Sequence, residues 1–125
     1  MNSLFVGVLA AFMASAAPNN WTPTDTQITE LESHIRLDQL AWWKISKLPS
    51  LSGYERFYAA GTSKGEKVIL GELVLADSSK RRPGVHMVPS TKEFPMISDG
   101  GCAVISLAYS VSSKSITSIK CNGRA

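Results

Sequence analysis

Ten residues in the middle of the chain constrain its architecture more than any others. In Lys67-Val-Ile-Leu-Gly-Glu-Leu-Val-Leu-Ala76, apolar side chains occupy both parities of an extended strand. Val68, Leu70 and Val74 fall on one side, and Ile69, Leu73 and Leu75 on the other. Side chains of a strand alternate between the two faces of its sheet, so this strand has no face suited to water. It belongs in the middle of a sheet that is covered on both sides. Its one charge within the apolar run, Glu72, either opens into a pocket or lies near a solvated edge. An unpartnered buried carboxylate is costly, which makes Arg56 on the neighbouring strand the natural partner.

The segments around this strand supply the rest of a sheet. Tyr54-Glu55-Arg56-Phe57-Tyr58-Ala59-Ala60 is aromatic-rich and ends at the turn signal Thr62-Ser63-Lys64-Gly65, so the two segments form a hairpin. Asp77 to Gly84 reads as a polar loop, Val85 to Val88 as a short strand, and Pro89 to Gly101 as loop. A last hairpin runs Cys102 to Val111 and Ser115 to Cys121; its first arm alternates Ala103, Ile105, Leu107, Tyr109 and Val111 with smaller or polar residues. Two registers compete. Setting Cys102 opposite Cys121 centres the turn on Val111-Ser112 and pairs Leu107 with Ile116 and Val104 with Ile119. A turn at Ser113-Lys114 sets Cys121 opposite Ser106, roughly 13 Å along the strand from Cys102. That is too far for a disulfide unless Gly100-Gly101 folds the chain back. The first register is the preferred one.

Ahead of the sheet the period is helical. Thr22 offers an N-cap hydroxyl, Pro23 suits the first turn, Asp25 stands three residues after the cap, and Ile28, Leu31 and Ile35 recur at helical spacing. This predicts a helix from about Pro23 to Arg36, with a second helical segment through Leu40 to Ile45 and a break before Pro49. Before it, Leu4 to Met13 is an uncharged apolar run followed by Ala14-Ser15-Ala16, the pattern of an export signal with a small-residue cleavage site. Residues 1–16 are therefore expected to be a signal peptide and residues 17–125 one small exported domain, secreted or periplasmic. The apolar run is shorter than the ~20 residues of a membrane-spanning helix. Export places Cys102 and Cys121, the two cysteines of the chain, in an oxidising compartment where a disulfide is the expected state. Asn20-Trp21-Thr22 matches a glycosylation acceptor, which matters only in a eukaryotic secretory route.

With 13 Lys+Arg against 10 Asp+Glu, the net charge of +3 is too small to point to nucleic acid or an anionic membrane. Candidate functional residues fall into three sets. Trp42, Trp43, Tyr54 and Tyr58, with Phe57, concentrate aromatic surface around Pro49 and suit a protein partner. Glu72, His86 and Asp99 are the polar groups for a pocket between helix and sheet, with His86 a base oriented by Asp99 or Glu72. Lys80-Arg81-Arg82 is a positive loop that an anion could contact. No nucleophile elbow, metal-ligand spacing or cofactor motif accompanies them.

One helical region followed by four or five antiparallel strands predicts an α+β domain, a helix packed across an antiparallel sheet. In outline this element order resembles cystatin-like and nuclear-transport-factor-like folds. The resemblance covers element order over about 100 residues and carries no motif, so it implies no residue roles. The expected function is a non-enzymatic protein-binding domain, inhibitor- or immunity-like, whose partner is another secreted or envelope protein. The rival expectations are a small-ligand or hydrolytic domain using Glu72, His86 and Asp99, and a structural envelope component.

Overall fold

Helix α1 spans Asp25–Ser33 and starts later than the Thr22 cap predicts. Thr24 is the N-cap: its Oγ1 accepts from the Gln27 backbone N–H at 3.1 Å, and Gln27 Oε1 accepts from the Thr24 N–H at 3.0 Å. The reciprocal box takes Glu or Gln at its third helical position, which Thr24 has in Gln27 and Thr22 lacks, having Asp25. At the other end the Ser33 hydroxyl donates to the Glu30 carbonyl at 2.6 Å, and a 3-10 turn at Leu37–Leu40 follows. A computed structural model describes residues 21–40, 50–76, 81–97 and 100–123. The expected continuation of the helix to Ile45, with Trp42 and Trp43, lies outside the described residues, as do the leader and Asn20.

The sheet has five strands: β1 (Tyr54–Ser63), β2 (Glu66–Leu75), β3 (Gly84–Met87), β4 (Val104–Ser110) and β5 (Ser115–Cys121). Their spatial order is β3-β1-β2-β4-β5, so the strand with two apolar parities is the central one. Among the described residues the domain is α+β, one α-helix on a five-stranded sheet. β1 and β2 pair antiparallel through a two-residue turn at Lys64 (φ 53°) and Gly65 (φ 80°). Two positive φ values in succession match the right-handed twist of the flanking strands.

The sheet is mixed rather than wholly antiparallel, because β3 runs parallel to β1. The register explains this. Tyr54 pairs with Leu75, so β2 ends beside the start of β1. A strand laid directly afterwards on the free edge of β1 must run the same way as β1. Reaching β4, on the far edge of β2, then requires the chain to cross back over β1 and β2. It does so on the face opposite α1, where Pro95, Met96 and Ile97 lie against Glu72 and Ser106 and the Asn122 side chain donates to the Ile97 carbonyl at 2.8 Å. This crossing segment is the second cover that β2 demands.

The hairpin β4–β5 does not adopt the preferred register. Ile105, not Cys102, faces Cys121; Leu107 faces Ile119, and Tyr109 faces Ile116 across a bulge between Ala108 and Tyr109. The turn occupies residues 111–114. Cys102 still reaches Cys121, with Cα atoms 4.5 Å apart, because the chain folds back in a 3-10 turn at Gly101–Ala103 after Gly100 (φ 115°) and Gly101 (φ 57°). The two positive φ values are ones that glycine adopts freely. Asn122 N–H donates to the Gly101 and Val104 carbonyls, at 3.1 and 2.8 Å, and pins the fold-back.

The core lies between α1 and the sheet. Ile28, Leu31 and Leu37 pack on Tyr54, Tyr58, Ile69, Leu73, Ile105, Leu107 and Tyr109. Burying a large apolar side chain contributes about 1.5–3 kcal/mol. A polar tie crosses this interface: Glu32 Oε2 accepts from Arg56 Nε at 2.7 Å and from the Tyr58 hydroxyl at 2.7 Å. Burial and the Glu32 carboxylate push the Tyr58 phenol far above its usual range. Arg56 is thereby committed to the helix. It is not the partner of Glu72, because it pairs with Leu73 and its side chain lies on the opposite face.

Candidate functional site

The residues of interest lie on the face opposite α1. Ladder pairings align His86 (β3), Phe57 (β1), Glu72 (β2), Ser106 (β4) and Lys120 (β5) in one row across all five strands. The Phe57 ring stacks on His86 with centroids 5.0 Å apart and planes 22° from parallel. Beside them Glu55, two residues before Phe57 and so on the same face, binds Arg81 Nη1 through Oε1 at 2.7 Å and His86 Nε2 through Oε2 at 3.0 Å.

His86 thus has an orienting carboxylate, but it is Glu55 rather than Glu72 or Asp99. Phe57 stands between His86 and Glu72, and two strand spacings put their backbones roughly 10 Å apart. Asp99 lies outside the described residues. The pocket expected between helix and sheet is not where Glu72 and His86 are: that space is filled by the core, and both side chains belong to the other face. Ser106 is the hydroxyl nearest Glu72 in the ladder, and no imidazole adjoins it there, so the row assembles no nucleophile–base pair.

Among the described residues Glu72 is the one buried charged residue, 8% exposed, and its carboxylate makes no hydrogen bond or ion pair there. Burial raises its pKa above the usual carboxylate value, and the positive charge of Arg81 pulls in the opposite direction. It lines a groove of about 320 Å³ with Ser106 and Asn122 on the sheet side and Pro95, Met96 and Ile97 on the crossing segment. Met96, 92% exposed, stands at this wall with its thioether side chain in solvent.

The aromatic set divides. Tyr54 and Tyr58 are fully buried on the helix face, Tyr54 donating to the Cys102 carbonyl at 2.9 Å and Tyr58 to Glu32, so neither offers surface to a partner. Trp42 and Trp43 lie outside the described residues. The positive loop divides too: Arg81 is held by Glu55, Arg82 is exposed, and Lys80 is outside the described residues. Cys102 and Cys121 form the expected disulfide.

Glu55, Met96, Ser106 and Asn122 complete this face and were not singled out by sequence reading, whereas Phe57 was, as part of the aromatic set and not as a neighbour of His86 and Glu72. For Glu55 and Phe57 a signal existed, since both share a parity on the strand that pairs with β2. For Met96 and Asn122 none did, because their positions depend on where a loop and a strand end come to rest. Among the described residues no cluster of three or more His, Cys, Asp or Glu is placed to hold a metal ion, and no helix is long and apolar enough to cross a membrane. No protein-family model matches the chain, and searches of curated proteins and of solved structures return no significant match.

Proposed function

We propose that the protein is a small exported binding domain, inhibitor- or immunity-like, that engages another secreted or envelope protein through the face opposite α1. The observation that carries this reading is the groove beside Glu72, a buried residue whose carboxylate has no partner among the described residues, bordered by a nearly fully exposed methionine. A soluble domain gains nothing from either feature alone. A flexible, polarisable thioether in solvent is a recurrent contact at protein-binding surfaces, and a desolvated charge becomes favourable once a complementary group reaches it. The disulfide supports placement of residues 17–125 in an oxidising extracellular or periplasmic compartment, with residues 1–16 as the export signal.

The hydrolytic alternative draws on Glu72 and His86, and the intervening Phe57 weakens it. Capture from an extracellular or periplasmic fraction, using immobilised wild type beside Met96→Asp, tests the proposal. The expected outcome is a protein retained by wild type and lost with Met96→Asp, whose melting temperature stays unchanged. Retention by Met96→Asp, or no specific protein on the wild-type support, overturns it.

A further inference from the structure

Building on that reading, we infer that the Glu72 groove is a receptor for an alkylammonium group, a primary ammonium carried on a short apolar stem. Three features of the groove select this class. First, its innermost polar group is an acceptor. Glu72 is more than nine-tenths buried as a residue, and no donor among the described residues reaches its carboxylate. Second, the groove offers a further acceptor for a three-donor cation, the Ser106 hydroxyl beside Glu72 in the ladder. Third, the opposite wall is Pro95, Met96 and Ile97, apolar surface against which a chain of methylenes lies without losing hydrogen bonds.

The charged neighbours leave the position open. Arg81 acts on Glu72 through space but spends its guanidinium on Glu55, which also holds His86. Lys120 lies one strand beyond Ser106 in the same row, two strand spacings from Glu72. The described part of the crossing segment at the groove, Pro95 to Ile97, carries no charge, and Asp99 is outside the described residues. An incoming ammonium therefore completes the missing half of a buried ion pair, a site that alkyl alcohols and anions do not fit.

The ammonium has two sources, a free small amine or a lysine side chain of the partner protein, and amide-resolved NMR titration of the purified protein distinguishes them. The probes are n-butylammonium chloride, the tripeptide acetyl-Gly-Lys-Gly-amide, and n-butanol as the uncharged isostere. Saturable shifts centred on Glu72, Ser106 and Ile97 are expected with both ammonium probes. Glu72→Gln should weaken them at least tenfold, and acidification through the raised Glu72 range should weaken binding to wild type in the same way, a readout that needs no variant. Tighter binding of the tripeptide identifies a protein lysine as the occupant, and equal binding identifies a small amine. Shifts by butanol equal to those by butylammonium, or undiminished binding by Glu72→Gln, overturn the inference. If the captured partner is retained by Glu72→Gln and lost with Met96→Asp, the binding-domain reading survives without this ligand class. If neither capture nor shifts occur, both fall.

Discussion

Single atoms separate tyrosines that look alike in sequence. Tyr54 and Tyr109 are both fully buried on the helix face, but the Tyr54 hydroxyl donates to the Cys102 carbonyl whereas the Tyr109 hydroxyl has no partner among the described residues. Leaving a buried carbonyl without its donor costs about 1–3 kcal/mol, and deleting an unpartnered hydroxyl costs nothing of that kind. Tyr54→Phe is therefore expected to lower unfolding free energy by about 1–2 kcal/mol and Tyr109→Phe to leave it unchanged or raise it, as read by urea denaturation. Glu72 gives a pH-dependent counterpart. Burial raises its pKa, so the folded protein holds this proton more tightly than the unfolded chain does. Its contribution to stability is then fully present below the ordinary glutamate range and is lost as pH rises through the raised folded value. Glu72→Gln removes that dependence. Between pH 4 and 8 the variant should show a flatter stability curve than wild type, and at the alkaline end should be the more stable by about 1 kcal/mol. Parallel curves would show that Glu72 is solvated well enough to titrate normally.

At the scale of elements, what was legible in the sequence was whatever periodicity decides. The two apolar parities of β2 required a central strand, and it is central; Lys64-Gly65 required a tight turn, and the hairpin closes there. What was not legible depends on connections and on competition between equivalent local signals. Thr22 and Thr24 both offer a capping hydroxyl, and the contest turns on whether Gln27 or Asp25 reaches back. The parallel pairing of β3 follows from the end at which β2 finishes, which no pattern within Val85–Val88 encodes. The partner of Arg56 depended on strand parity at a register that was not known in advance. That partner makes its own prediction. Glu32 and Arg56 are largely shielded, with side-chain exposures of 18% and 14%, and they join α1 to β1. Arg56→Met leaves Glu32 with the Tyr58 hydroxyl alone and should cost about 2–4 kcal/mol, near the range for breaking a buried pair. A Glu32→Gln, Arg56→Met double variant should recover part of that loss, and a double-mutant cycle in denaturant measures the coupling. Strict additivity would mean that the helix is held by its apolar face alone.

The molecule as a whole is organised around two covers on one sheet. One is α1, fixed by Ile28, Leu31 and the Glu32 tie; the other is the crossing segment, fixed on the described side by the Asn122–Ile97 hydrogen bond and ended by the glycine fold-back that brings Cys102 to Cys121. The disulfide therefore does more than close β4 onto β5. It anchors the place where the second cover re-enters the sheet, next to Asn122 in the proposed groove. Cross-linking residues 19 apart in sequence removes about 3 kcal/mol of loop entropy from the unfolded chain. A Cys102→Ser, Cys121→Ser variant should lose that much unfolding free energy in denaturant titration, corresponding to a melting temperature lower by roughly 10–20 °C for a domain of this size. The position of the link adds a local consequence that loop entropy alone does not contain. Without it, the amides of Ile97, Gly101 and Asn122 should exchange with solvent faster relative to those of β1 and β2 than the loss of global stability accounts for. Hydrogen exchange measured at equal distance from each protein's unfolding midpoint separates the two effects. Uniform acceleration across the sheet would reduce the disulfide to a constraint on the unfolded chain. Selective acceleration at those three residues would show that it holds the wall of the groove in place.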